Sequence, residues 1–119
     1  MRILVIEDEV NLNDIIVKKL KLERYGVDSC LDGKEALDYI FSTEYDVILM
    51  DIQMPNMNGY QAAEAIRALP GKRGEIPIVA MTANAFEEDR RKALESGMNA
   101  HIAKPVDVSV LLETLSRFS

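Results

Sequence analysis

Four short apolar runs in this chain end on residues whose types could do chemistry. Glu7 and Asp8 follow the run at 3–6, Asp51 follows 47–50, Thr82 follows 76–81 and Lys104 follows 100–103. Taken singly, each is more readily explained by a helix cap or a solvated turn; the coincidence of all of them is not. If the fold sets the first and third runs side by side, three carboxylates converge, and like charges so close force protons onto one or more of them. A divalent cation removes that conflict, and small Mg²⁺ prefers one or two carboxylates together with waters and phosphate oxygens. Lys104 adds a positive charge and Thr82 a hydroxyl donor. Together they could hold the equatorial oxygens of a transferring phosphoryl group, a reaction in which catalysis is mainly positioning and charge stabilisation. A carboxylate can itself be the nucleophile of such a transfer, and Asp51 is the best placed to form an aspartyl phosphate.

The elements that must position these groups are legible as alternating periodicities. Five runs rich in β-branched residues, at 3–6, 27–31, 47–50, 76–81 and 100–103, read as strands, the last being the weakest pattern. Between them the apolar spacing turns helical: Leu12, Ile15, Ile16 and Leu20; then Ala36, Leu37, Ile40 and Phe41; then Ala62, Ala63, Ile66 and Leu69, stopped by Pro70-Gly71. The fifth stripe runs through Val108, Leu111, Leu112, Leu115 and Phe118. The fourth, from about 85 to 96, has only Phe86, Ala93 and Leu94, which predicts a helix held loosely on the core. Asp32 with Glu35 and Asn84 with Glu87 approximate capping boxes, Asn58-Gly59 and Asp107 mark two more starts, and Gly97 suits a helix end. Strand and helix thus alternate five times over short connections. That pattern yields an α/β fold, a doubly wound parallel sheet covered by helices on both faces, whose ligands bind beyond the carboxyl ends of the strands.

Composition narrows the function classes. The 119 residues, 48% hydrophobic and 29% charged, predict one domain, 1–119, with one core and no linker. Acidic residues outnumber basic ones by 20 to 14, and the basic ones are scattered, which argues against nucleic acid as a direct partner. One cysteine, Cys30, and one histidine, His101, exclude an internal disulfide and any cysteine-rich or multi-histidine metal site, so a cation here must be a hard one held by carboxylates. Cys30 is expected to be a buried, inert thiol, and Met50, Met54, Met57 and Met81 to be core and loop packing. The apolar runs are far shorter than the roughly 20 residues of a membrane span. No secretory signal is evident, because only four apolar residues separate Arg2 from Glu7-Asp8-Glu9. A cytoplasmic protein is expected.

Four motifs in order, Ile3-Leu4-Val5-Ile6-Glu7-Asp8-Glu9, Met50-Asp51-Ile52-Gln53-Met54-Pro55 with Asn58-Gly59, Met81-Thr82-Ala83 and Ala103-Lys104-Pro105, make the chain similar over essentially its whole length to the receiver domain of two-component response regulators. The resemblance implies a five-stranded parallel sheet of order 2-1-3-4-5 with five helices, the flavodoxin-like fold. It implies Asp51 as phosphoacceptor; Asp8, Asp51 and the backbone carbonyl of Gln53 as Mg²⁺ ligands; Glu7 acting through a bound water; and Thr82 and Lys104 as contacts to the phosphoryl group. It also implies a cis peptide at Lys104-Pro105, a bond expected only before proline. His101 falls at the family's switch position, usually Tyr or Phe, and an imidazole there could carry charge near neutral pH. Gln53 and Asn84 match positions that influence phosphoryl lifetime, although Asn84 reads equally well as an N-cap. The chain through Leu37 resembles receivers of transcription regulators, and 59–105 resembles receivers fused to hybrid histidine kinases, so a mosaic chain is left open.

The function so implied is a phosphorylation-dependent signalling switch. Asp51 takes its phosphoryl group from a sensor histidine kinase or a histidine phosphotransfer protein, the domain catalyses its own phosphorylation and dephosphorylation, and it is not otherwise an enzyme. The surface that changes is expected around the fourth and fifth helices and the fifth strand, and a dimer formed on phosphorylation is left open. Two rivals remain. A Mg²⁺-dependent phosphatase that uses an aspartyl phosphate would resemble Asp-x-Asp after the first strand, whereas here the acceptor-like Asp51 follows the third and is followed by Gln53. A binding module that has lost phosphorylation would lack a motif residue, and none is missing.

Overall fold

In the computed structural model, which describes residues 1–83 and 87–118, the five apolar runs pair in parallel. In chain order the elements are β1 (Arg2–Ile6), α1 (Val10–Leu22), β2 (Gly26–Cys30), α2 (Gly33–Ser42), β3 (Val47–Asp51), α3 (Gly59–Arg67), a 3-10 turn (Gly71–Glu75), β4 (Ile78–Thr82), α4 (Glu87–Glu95), β5 (Ala100–Ala103) and α5 (Val108–Ser116). The strand order is β2-β1-β3-β4-β5. The chain leaves β1 toward β2 on one side and returns to place β3 on the other. The carboxyl ends of β1 and β3 therefore flank the reversal, where a crevice opens in such sheets.

Two cores sit on the two faces of this sheet, and strand alternation sorts the side chains between them. Ile3, Val5, Val47, Leu49, Val79 and Met81 pack with Ile16 and Leu20 of α1 and Leu111 and Leu115 of α5. Leu4, Ile6, Ile48, Met50, Ile78 and Ala80 pack with Ala36 and Ile40 of α2, Ala63 and Ile66 of α3 and Ala93 of α4. Both faces being covered is why these strands read as unbroken apolar runs instead of alternating ones.

Local chemistry sets the helix limits. Glu9 caps α1, accepting from Asn11 N at 3.2 Å and Leu12 N at 2.6 Å; Asp32 caps α2 through Glu35 N at 2.8 Å; Asp107 caps α5 through Ser109 N at 2.8 Å. Asn58 and Gln61 form a reciprocal capping box at α3, at 2.9 and 3.0 Å, where the Asn58-Gly59 pair by itself marks only a start. The end of α4 is closed by Gly97 at φ +97°, with Gly97 N–H bonded to Leu94 O and Met98 N–H to Ala93 O, a Schellman closure. Asn84, offered as the cap of that helix, and Phe86 of its stripe lie outside the described residues.

Some expectations shift by a few positions. The fourth strand begins at Ile78 and not Ile76, because Pro77 has no N–H for the ladder and offers only its carbonyl, to Ile48 N at 2.8 Å. The expected loop at 70–75 contains the 3-10 turn. In the first two helical stripes Ile15 and Phe41 are 53% and 56% exposed, and Asn13 and Gly33 take the buried places.

Candidate functional site

The site is assembled at the carboxyl ends of β1, β3, β4 and β5. Glu7 continues β1 by one residue, its N–H bonded to Cys30 O at 3.2 Å, and its side chain is fully buried. Asp51 is the last residue of β3 and is 3% exposed; Thr82 ends β4 and is buried as well. Lys104 follows β5 and is half-buried, with its N–H on Thr82 O at 2.8 Å. The Lys104-Pro105 peptide is cis. Glu7, Asp8 and Asp51 each bring a carboxylate oxygen to within 4.8 Å of the others. Such a set, all carboxylate and without sulfur or imidazole, suits a hard divalent cation and no soft one.

Lys104 Nζ stands 2.7 Å from Glu7 Oε1 and 3.1 Å from Asp51 Oδ1. The same Asp51 Oδ1 accepts the backbone N–H of Gln53 at 3.3 Å, so the acceptor-like carboxylate is held from two sides. Burial first, and then the hydrogen bond and charge of Asp51, push the Glu7 carboxyl up to about 7, with Lys104 offsetting only part of the rise. Burial works against the charged ammonium of Lys104, but its hydrogen bonds to Glu7 and Asp51 outweigh that and leave its pKa raised. Burial likewise pushes the Cys30 thiol up to about 12, which makes it inert.

Beside this cluster a cleft of about 440 Å³ opens, lined by Gln53, Met54, Asn58, Tyr60, Thr82 and Asp89. His101 is not in the cluster. It lies mid-strand in β5, opposite Ala80 in register, and borders a separate groove of about 210 Å³ with Arg90, Leu94 and Arg117. Asn84 falls outside the described residues.

Asn13 is a supporting residue that the motif reading passed over. It is buried in α1, and its Nδ2 donates to Glu7 O at 3.0 Å and Cys30 O at 3.2 Å, tying the helix to the ends of β1 and β2. The signal was present: a polar residue three and seven positions before the buried Ile16 and Leu20 lies on the same helical face.

The family model for the response regulator receiver domain matches residues 3–116. The chain belongs to that family. Over 97% of its length this receiver is 38% identical to a hybrid signal transduction histidine kinase of Dictyostelium discoideum, of which it spans 7%. Over 93% it is 38% identical to the response regulator ArlR of Staphylococcus saprophyticus, of which it spans 49%. Among solved structures, the receiver domain of sensor histidine kinase PA1611 from Pseudomonas aeruginosa, with magnesium coordinated in its active-site cleft, superposes with TM-score 0.88 at 37% identity, covering 98% of this chain and 95% of that one. The receiver domain of Ssk1, crystallised with the phosphotransfer protein Ypd1 of Saccharomyces cerevisiae, gives 0.91 at 28% identity, over 99% and 88%. The receiver is a signalling domain of two-component systems with the flavodoxin-like sheet order 2-1-3-4-5, and no helix among its described residues is long and apolar enough to cross a membrane.

Proposed function

We propose that the chain is a phosphorylation switch in which Asp51 accepts a phosphoryl group from a phosphohistidine. The observation that carries this reading is the meeting of three carboxylates with Lys104 at the reversal point of the sheet, Nζ 3.1 Å from Asp51 Oδ1. An oxygen of Asp51 forms the new O–P bond while the P–N bond of the donor breaks, its electron pair remaining on the imidazole nitrogen, which solvent then protonates. Asp8, Asp51 and the carbonyl of Gln53 would hold Mg²⁺, and the ion supplies charge neutralisation at the phosphoryl oxygens. Glu7 adds a further carboxylate behind them. Lys104 balances the negative charge that arrives on Asp51, and the Thr82 hydroxyl donates to a phosphoryl oxygen.

The partners that fit are a sensor histidine kinase or a histidine phosphotransfer protein, a reading favoured by the kinase among the relatives and by the Ypd1 complex of the Ssk1 receiver. Once Thr82 and Lys104 turn to the phosphoryl group, the change passes to α4, β5 and α5, with His101 as the coupled side chain. In α4 the sole buried residue among those described is Ala93, so that helix is free to shift at low cost. Gln53 and Asn84 would tune how long the phosphoryl group survives.

Incubation with acetyl phosphate tests the reading. One phosphoryl group should add by intact mass only with Mg²⁺ present, map to Asp51, and be absent in Asp51→Asn. Full modification of the Asn variant at another residue would sink the assignment.

A further inference from the structure

Gly59 opens α3, and its neighbours explain why no larger residue fits. Its N–H donates to Ile52 O at 2.8 Å, and a methyl group on its Cα would stand 2.7 Å from Ile52 Cα and 2.8 Å from Asp51 O. Real Cβ atoms do not come so close to backbone, and neither of those atoms can swing aside. Its φ is not in the left-handed region. What the position demands is space.

The contact closes a loop onto itself. After Asp51 the chain runs out through 52–58, turning at Asn56 with φ +68°, and returns so that the first residue of α3 rests on the Asp51–Ile52 peptide. Inside that closed loop Gln53 N–H holds Asp51 Oδ1 at 3.3 Å. The return is pinned from the helix side by the Asn58–Gln61 capping box. The loop therefore carries both the amide that holds the acceptor carboxylate and the residue whose carbonyl the reading above gives to Mg²⁺.

Resting on the phosphoacceptor reading above, we propose that Gly59 is a positioning residue: its bare α-carbon lets α3 seat against the Asp51–Ile52 peptide, and this seating holds Asp51 and the Gln53 carbonyl in the arrangement that binds Mg²⁺ and receives the phosphoryl group. Gly59 touches neither the ion nor phosphorus. Its effect is transmitted through the backbone, where a displacement of about 1 Å can cost on the order of a hundredfold in rate.

The control is built into the chain. A methyl group on Gly74 would run into Leu69 O, a backbone clash tighter than the one at Gly59, but Gly74 lies before β4, at the opposite end of the sheet from Asp51. Gly59→Ala and Gly74→Ala should both lower the melting temperature. Only Gly59→Ala should weaken Mg²⁺ binding by calorimetry and slow acetyl phosphate modification at saturating Mg²⁺, each by about tenfold or more. A folded Gly59→Ala chain that keeps both within about twofold of the unaltered protein overturns the proposal, and so does an equal loss in Gly74→Ala.

If Gly59→Ala does not fold, amide exchange in the unaltered chain decides. Should the seated loop be the ion-competent form, Mg²⁺ at ten times its Kd slows exchange of the Gly59 amide by about elevenfold. The Gly26 amide, bonded to Met1 O at the far end of the sheet, should slow much less. Equal slowing, or none at Gly59, overturns the proposal. An unaltered chain that binds no Mg²⁺ and takes no phosphoryl group overturns the phosphoacceptor reading itself, and the positioning role with it.

Discussion

The buried carboxylate of Glu7 and the ammonium of Lys104 form a 2.7 Å ion pair between residues that follow β1 and β5, strands separated in the sheet by β3 and β4. The lysine stem reaches past the ends of two strands, and Asp51, at the end of one of them, is its second partner at 3.1 Å. The two carboxylates are thus bridged by the Lys104 ammonium. Any ion or phosphoryl group that enters must compete with that arrangement or re-use it.

Lys104→Met should separate those two roles. Methionine keeps most of the apolar stem and removes the charge, so packing changes little. With the ammonium gone from the carboxylate oxygens, Mg²⁺ should bind the variant severalfold more tightly by calorimetry. Modification by acetyl phosphate should nevertheless slow by about a hundredfold or more, the scale for losing one oxyanion-hole donor in acyl transfer. Weaker Mg²⁺ binding in Lys104→Met would mean that the lysine arranges the carboxylates and does not compete for them.

The raised Glu7 pKa predicts how stability follows pH. The ordinary value of 4.5 stands for the unfolded chain, and burial lifts the folded value to about 7. Between those values the folded chain holds a proton that the unfolded chain has released. The contribution is fully present below about pH 4.5 and is lost as pH rises through about 7. Thermal melts in chelator should show this slope, and Glu7→Gln should flatten it. Mg²⁺ runs in the opposite sense, since proton and cation compete for one cluster, so its affinity should climb as pH passes about 7. A slope of the same size in Glu7→Gln would locate the titration elsewhere.

Asp8→Ala tests the ligand role without disturbing the core, because Asp8 is half-buried and makes no ion pair among the described residues. Removing one of three neighbouring carboxylates relieves repulsion in the metal-free fold. The variant should bind Mg²⁺ at least tenfold more weakly by calorimetry while melting in chelator at the same temperature or higher. Unchanged Mg²⁺ affinity would contradict the ligand assignment.

The strands and their sorting were legible because a parallel sheet covered on both faces writes itself as apolar runs, and the chemistry was legible because four of the five runs end on a polar residue of a telling type. What stayed hidden was set by contacts over long sequence separations. Nothing local to Glu7 announces that Lys104 will sit on it, and the burial that shifts its pKa is a property of the assembled sheet. Asn13 was hidden for another reason. Its type belongs to a helix surface, and only its place on the face of Ile16 and Leu20, with two strand-end carbonyls opposite, makes it a buried donor. Ile15 is the reverse case: its spacing makes it a member of the apolar stripe of α1, yet it is exposed.

Arg67 carries the last prediction. From the end of α3 its guanidinium donates to Gly97 O at 2.9 Å, Gly74 O at 2.9 Å, Ile76 O at 2.8 Å and Asn99 Oδ1 at 2.9 Å. These partners belong to the connection from α4 to β5 and to the connection from the 3-10 turn to β4, so one side chain ties α3 to both. Asn99 Oδ1 also accepts Ile78 N at 2.9 Å, which links the same knot to the first residue of β4. Each partly buried acceptor left without its donor costs about 1 kcal/mol or more. With three such acceptors, Arg67→Met should destabilise the fold by about 3 kcal/mol or more in a denaturant titration. Arg67→Lys should recover little of that, because a compact ammonium cannot reproduce the planar fork. Since the knot lies away from Asp51, acetyl phosphate modification of the folded variant should keep its rate. Amide exchange at Met98, whose N–H closes the end of α4 on Ala93 O, should quicken. A methionine variant as stable as the unaltered chain would show that water replaces the guanidinium at no cost, and that α4 is anchored by Ala93 and Met98 packing alone.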